Sequence, residues 1–359
     1  MNNDIILKVN GKSYGGWTSA IVEKSMFHMA GAFGFSATDI FPGQAVKWDI
    51  KLGMECTVEI NGQTIITGYI EDIPIDYDAT SHNIQFGGRD KTGDLIDCSF
   101  DGDNTEWNKL SVLKVCEQLC NPFKINVVAD LTVKTEANKK WPDSVKADEG
   151  STVFDLIFDM CKVRAILPVC YGDGKLTLTR AQTNNKVHDH LELGKNIKRG
   201  RIEQSNKDRF QTYIVKGQGA GNDNKDLYST VSPGGRRTDD VIDRYRPIVI
   251  FTETKCDEGR CLERAKWEAN IRAGKSRRLE YELQGWTQSN GEVWPLNSMV
   301  QIRDSMAGIN DRELLIAGLS FNFDSESGTT TKMIVVDPNT FDLIALPEKI
   351  KTGFDWGDL

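Results

Sequence analysis

The sequence lacks the short patterns on which most enzymes and metal proteins depend. No HExxH or GxxxxGK[ST] stretch occurs in its 359 residues, so zincin and phosphate-loop chemistry have no local signature. Histidine is scarce, with four in all. His188 and His190, either side of Asp189, could put two imidazoles on one side of a strand, but without a third ligand a solvated linker is the expectation. The eight cysteines (56, 98, 116, 120, 161, 170, 256 and 261) form no CxxC pair and read as reduced, partly buried thiols. Long apolar runs are absent as well. The longest, Ala165–Cys170, is interrupted by Pro168 and is far shorter than the roughly 18 residues that span a bilayer. The opening MNNDIILKVNG carries Asp4 where a signal peptide would be basic, so neither a membrane anchor nor Sec export is expected. Positive charge is also in deficit. At a net charge of −8 the chain is not built as a dedicated nucleic-acid binder, which needs clustered Lys and Arg.

What remains as candidate chemistry is thin. Gly217-Gln-Gly219-Ala-Gly221 follows a strand pattern, but a dinucleotide fingerprint needs GxGxxG opening a helix, and the polar NDNKD that comes next reads as a loop. Asp101, Asp103 and Glu106 lack the spacing of a calcium loop. The densest basic run is KNIKRGR, with Lys195, Lys198, Arg199 and Arg201. It is flanked by Glu192 and Glu203 and reads first as a solvated connector, second as a patch for nucleic acid or an acidic partner. No cofactor and no metal site is expected.

The patterning that is present describes a mainly β chain with an α+β insertion. Phe27, Met29, Phe33 and Phe35 fall at a period of two and predict a strand over Phe27–Phe35, as do Cys56, Val58 and Ile60. Asn61-Gly62 predicts a tight hairpin leading to Ile65 and Ile66, because both turn positions need φ > 0. Further strands are predicted at Tyr69–Ile75 and Asn83–Phe86. After a polar loop at 101–105 the period changes. Leu110, Leu113, Cys116 and Cys120 mark a helix stopped by Pro122. A strand at Lys124–Val128 and a charged loop over Lys139–Glu149 follow. A second helix starts at Ser151 or Thr152 as N-cap, with Val153, Phe154, Ile157, Phe158 and Cys161 as its buried face. A hairpin turns at Gly172-Asp173-Gly174. Strands resume at Phe210–Lys216 and, beyond a polar loop over 217–240, at Ile248–Phe251, Leu279–Leu283, Met299–Ile302, Leu314–Phe323 and Lys332–Val336. One helix, about Glu258–Ala273, faces inward with Leu262, Ala265 and Ala269. Two β units of similar size suggest a duplicated barrel. The expected domains are 1–100 completed by about 191–218, an insertion over 101–190, a second β unit over 219–345 and a tail over 346–359.

Several segments in order also resemble a known family. They are GGRDKTGDLIDC (Gly87–Cys98, with Arg89, Asp90, Thr92, Gly93, Asp97 and Cys98), EGSTVF opening the second helix, and GDGKLTLTR. Then come FQTYIVKGQ, RYRP with Arg246 and Pro247, RAKWE with Trp267, Gly285-Trp286, and GEVWP with Trp294. Together they resemble the baseplate hub family of Mu-like phages and prophages, the 43 kDa tail proteins. These are similar in fold to hubs of larger contractile phages and to type VI secretion spike proteins. The resemblance implies two tube-like antiparallel β-barrels per chain, and a homotrimeric ring that adapts a sixfold tail tube to a threefold central spike. It implies a tail-baseplate location after assembly in the bacterial cytoplasm, contact with tube and spike proteins and with a tape-measure protein, and a channel that DNA crosses without specific binding. It carries over no catalytic or cofactor residue, so an enzyme is not expected. The rival readings are a tail-associated murein hydrolase and a nucleic-acid-binding tail protein centred on Lys195–Arg201.

Overall fold

The computed structural model describes residues 4–38, 40–41, 44–45, 48–78, 82–102, 106–141, 144–146, 150–218, 234–255 and 258–342. The first part is all strand: β1 (Ile5–Val9), β2 (Lys12–Tyr14), β3 (Ser19–Ser25), β4 (Ala32–Thr38), β5 (Ile40–Phe41), β6 (Gln44–Ala45), β7 (Glu55–Ile60), β8 (Gln63–Asp72), β9 (Ile75–Tyr77) and β10 (His82–Asp90). An α+β unit follows: α1 (Gly93–Asp97), β11 (Glu106–Asn108), α2 (Val112–Cys120), β12 (Asn126–Ala129), α3 (Lys134–Asn138), β13 (Ser144–Lys146), α4 (Val153–Val163), β14 (Leu167–Val169) and β15 (Lys175–Thr179). The last part holds β16 (Leu191–Glu192), β17 (Ile197–Gln204), β18 (Thr212–Gln218), β19 (Gly234–Thr238), β20 (Pro247–Lys255), α5 (Glu258–Lys275), β21 (Arg277–Gln284), β22 (Met299–Asp304), β23 (Ile309–Asp324) and β24 (Gly328–Val336). Asp103, Glu149, Gly219–Gly221, most of the polar loop before β19, Cys256 and the tail beyond 342 lie outside the described residues.

The two β-rich parts are one sheet. β23 pairs antiparallel with β3, Phe321 opposite Val22, and this seam joins 14 strands on the path β17-β21-β24-β23-β3-β4-β10-β8-β7-β1-β2, with β9, β16 and β22 attached beside it. Among the described residues the path ends at β17 and β2 without returning on itself, so the pairing closes neither part into a barrel. Alternation along the strands puts Val22, Phe35, Phe86, Tyr281, Phe321 and Met333 on one side, in a single hydrophobic core to which both parts contribute. The Asn61-Gly62 hairpin forms as predicted, with φ of 51° and 78° and Ile60 opposite Gln63.

Three expectations are corrected. The strand predicted from Phe27 is a turn through residues 26–31, and β4 begins only at Ala32. The Gly31 amide is captured by the buried Asp90 carboxylate, which draws the chain out of the ladder. Met29 then packs into the core of the insertion, and Phe27 lies exposed beside Phe341. The return of residues 191–218 to the first β part does not occur either: β16 pairs with β22, β17 with β21, and β18 lies between β19 and β20. A period of two identifies a strand but not its neighbour, and Tyr213 and Val215 of β18 are buried against Cys261, Ala265 and Ala269 of α5. Finally, Tyr69 and Ile75 belong to two strands, β8 and β9, that pair with β10 in succession.

In the insertion, α2 and α4 contribute to a core that includes Leu176 and Leu178 of the small sheet β12-β15-β14. Thr152 caps α4, its hydroxyl accepting the Asp155 N–H at 3.1 Å. Val153, Ile157 and Cys161 are buried as read, whereas Phe158 is exposed, as is Leu262 on α5. The short α3 went unread because its five residues give no helical period. The insertion is tied to the last β part by Asn297, a buried residue at φ 56°. Its amide donates to the Tyr171 hydroxyl (2.8 Å) and the Arg180 carbonyl (2.9 Å), while its oxygen accepts the Gln182 N–H (3.0 Å).

Candidate functional site

The Gly87–Cys98 signature is a joint between β10 and α1. Arg89 lies on the outer side of β10, where its guanidinium grips the Glu71 carboxylate bidentately (2.7 and 2.9 Å) and reaches Asp97 at the end of α1. The Glu71 and Asp97 hydrogen bonds raise the guanidinium pKa further, and the Arg89 bond holds Asp97 below the usual carboxylate range. The neighbouring Asp90 points inward. Burial pushes its pKa up, against the opposing hydrogen bonds of Thr92 and Gly31. A Cβ at Gly93 would stand 3.3 Å from the Arg89 guanidinium carbon, so the turn is packed close. Cys98 is exposed, its N–H ending α1 on the Asp94 carbonyl at 3.0 Å. An open pocket lies beside it, lined by Tyr69, Glu71, Arg89 and Asp94, and the charged groups there hold strand and helix together.

The later signature residues are also structural in their contacts, and they lie apart from that joint. Arg246 covers the Phe210 ring (4.9 Å) and donates to the Arg209 carbonyl at 3.0 Å, and Pro247 opens β20. The Trp267 indole N–H donates to the Asp342 carbonyl at 2.7 Å, under the Arg264 guanidinium. Gly285 turns at φ 77° so that Trp286 enters the core and donates to the Asn322 carbonyl at 3.0 Å. Trp294 is buried in the same core.

The basic run spans the turn before β17 and β17 itself, which among the described residues ends the sheet. Lys195 pairs with Glu192 (2.9 Å), Lys198 approaches Glu282 (3.9 Å), Arg201 meets Glu203 (2.7 Å), and Arg199 is exposed opposite Glu282. Acidic neighbours therefore interleave with it. His188 and His190 do not converge: the first faces Asp189, the second Glu192. Ser289 completes a Ser-His-Asp grouping that cannot act as a triad. Its hydroxyl and the Asp189 carboxylate both meet His188 Nδ1, at 3.3 and 2.8 Å, whereas a nucleophile and its orienting acid need opposite ring nitrogens. Among the described residues no group of three metal-ligating side chains forms, and no helix is long and apolar enough to cross a membrane.

One unusual titrating group escaped the sequence reading. Burial pushes the Lys24 pKa down from the ordinary 10.5 to about 8, against the opposing pull of Cys170, Asp173 and Asp90. Its ammonium donates to the Tyr171 carbonyl at 3.3 Å. Nothing in the spacing of a single lysine on a strand signals this. Below about pH 8 the folded state carries the poorly solvated charge. Between about 8 and 10.5 the unfolded chain binds more protons, so this group's contribution to stability rises with pH. Lys24→Met is expected to stabilise the protein at pH 7 and to lose that rise. Urea melts of both proteins at pH 7 and 10 check it: an unchanged difference between the two would refute the assignment.

These contacts describe a scaffold, and the comparisons agree. Residues 4–90 match the model for the N-terminal domain of Mu phage baseplate assembly protein GpP-like, 92–180 that for the second domain of baseplate hub protein gp44-like, and 258–344 that for the fourth domain of GpP. The chain is 32% identical to baseplate hub protein gp44 of Escherichia phage Mu over 93% of this chain and 87% of that protein. The chain belongs to the Mu-type baseplate hub family. Among solved structures, this hub protein is similar to the 43 kDa tail protein of prophage MuSo2 from Shewanella oneidensis, at TM-score 0.84 and 32% identity, over 95% of this chain and all (100%) of that one. A tail protein from Neisseria meningitidis shares the fold at TM-score 0.78 and 20% identity, over 96% of this chain and 100% of that one.

Proposed function

We propose that this hub acts as a homotrimeric ring, adapting a sixfold tail tube to a threefold central spike and leaving a channel through which DNA passes without specific binding. The observation that carries the reading is the 32% identity to a baseplate hub along 93% of the chain. Three chains, each bringing two related β parts, would present six similar units to the tube and three to the spike. The two parts would then be tube-like domains, with 101–190 as the appendage between them. Barrel closure belongs to the ring in this reading, since among the described residues the sheet of one chain is open. Tube, spike and tape-measure proteins are the partners that it calls for, in a virion tail assembled in the host cytoplasm. The hub is not an enzyme in this reading; the relative that carries it is itself named a baseplate hub protein. Light scattering of the purified chain, with negative-stain microscopy, is expected to give three times the mass of one chain and a ring with a central hole. A mass that stays at one chain at high concentration, with no ring, would overturn it.

A further inference from the structure

The long sheet contains a strip of eight strands, β17-β21-β24-β23-β3-β4-β10-β9, in which every neighbouring pair is antiparallel. Both ends of the strip are open among the described residues: β17 pairs only with β21, and β9 only with β10. The two ends are exposed. Lys198 to Gln204 are all exposed on β17, and all three residues of β9 are exposed, Tyr77 at 76%. An exposed strand edge is a row of unpaired amides and carbonyls that another strand can complete.

The two edges carry opposite charge. Lys198, Arg199 and Arg201, against the single acid Glu203, leave the β17 end net positive; Asp72 and Asp76, both exposed, mark the β9 end. They share a face. Directly opposed residues lie on one side of a sheet, and the register runs Arg199, Glu282, Lys332, Ser320, Glu23, Ala32. On β4, Thr38 lies on the same side as Ala32, and it opposes Asn83, which in turn opposes Asp76. Asp76 sits farther along the strand direction than Arg199, the kind of stagger that a closed sheet of tilted strands requires. Parity settles the direction. With an even number of alternating strands, β17 and β9 run oppositely, so a copy rotated about an axis along the strands brings its β17 antiparallel to β9.

We propose that the β17 edge of one chain pairs with the β9 edge of a second copy, Arg199 and Arg201 against Asp72 and Asp76, and that this head-to-tail contact closes the ring. It rests on the ring reading above and names its interface. The ion pairs that β17 makes within its own chain are surface pairs, worth roughly 0–1 kcal/mol each, so they exchange readily for the partner's carboxylates.

The test is charge reversal at exposed positions, with circular dichroism to show that each variant keeps its fold. Arg199→Glu with Arg201→Glu, and separately Asp72→Lys with Asp76→Lys, are each expected to weaken assembly roughly tenfold or more in light-scattering titrations. A chain carrying all four changes, with both edges inverted, is expected to recover the wild-type mass. Wild-type trimers that neither reversal disturbs, or a four-site chain that stays monomeric, would overturn the edge pairing and leave the ring reading intact. A wild-type chain that never assembles overturns both.

Discussion

Gly68→Ala is expected to cost roughly 3 kcal/mol of folding stability, a large loss for one methyl group. A Cβ at this position would stand 1.8 Å from the Arg89 carbonyl oxygen and 2.7 Å from the Asp90 Cα. β8 cannot retreat to make room, because its other side is paired with β7, Cys56 opposite Gly68. β10 cannot retreat either, because Arg89 and Asp90 hold the joint to α1 and the turn at Gly31. The loss therefore extends beyond the sheet, to the 26–31 turn and the seat of the insertion. Chemical denaturation of the purified variant measures it. A cost below about 1 kcal/mol, or the stabilisation of up to about 1 kcal/mol that Gly-to-Ala brings where φ permits, would show that the strands are not held so closely.

Trp286→Ala is expected to cost about 4 kcal/mol, from the cavity left by a fully buried indole and the stranded Asn322 carbonyl. The shape of the transition is the sharper forecast. Because both β parts share one core and one sheet, the variant should still melt in a single step, with signals from the first and last thirds of the chain coincident. Two separated transitions, followed by hydrogen exchange at β1 and at β24, would mean that the parts fold independently. Trp286→Phe, which keeps most of the volume, should lose much less.

The sequence told local structure far better than partnership, for a physical reason. Asn61-Gly62 determines its own hairpin, since the backbone angles of the turn are a property of those two residues. Thr152 likewise announces a helix start within three residues of itself. The joint at Arg89 was legible only as a motif: its meaning depends on Glu71, which is brought opposite by the β8–β10 pairing and has no fixed spacing to betray it. Residues 197–204 alternate no clear apolar face, because on an edge strand there is little to bury. Their pairing with β21 could not be read for that reason. Lys24 and Asn297 were invisible in the same way. Each is a common polar residue whose surroundings are assembled from segments more than a hundred residues apart.

Asn297 also bears on mechanics. One buried amide holds the Tyr171 hydroxyl, the Arg180 carbonyl and the Gln182 N–H, at the point where the chain leaves the insertion for the last β part. A connector held at three points along twelve residues has no hinge. A push on the insertion, for instance at Leu131, which projects 88% exposed, would be carried as load into β22 and β23 and not absorbed by a swinging arm. The insertion is in that sense a bracket, and its stiffness depends on one amide buried inside the chain.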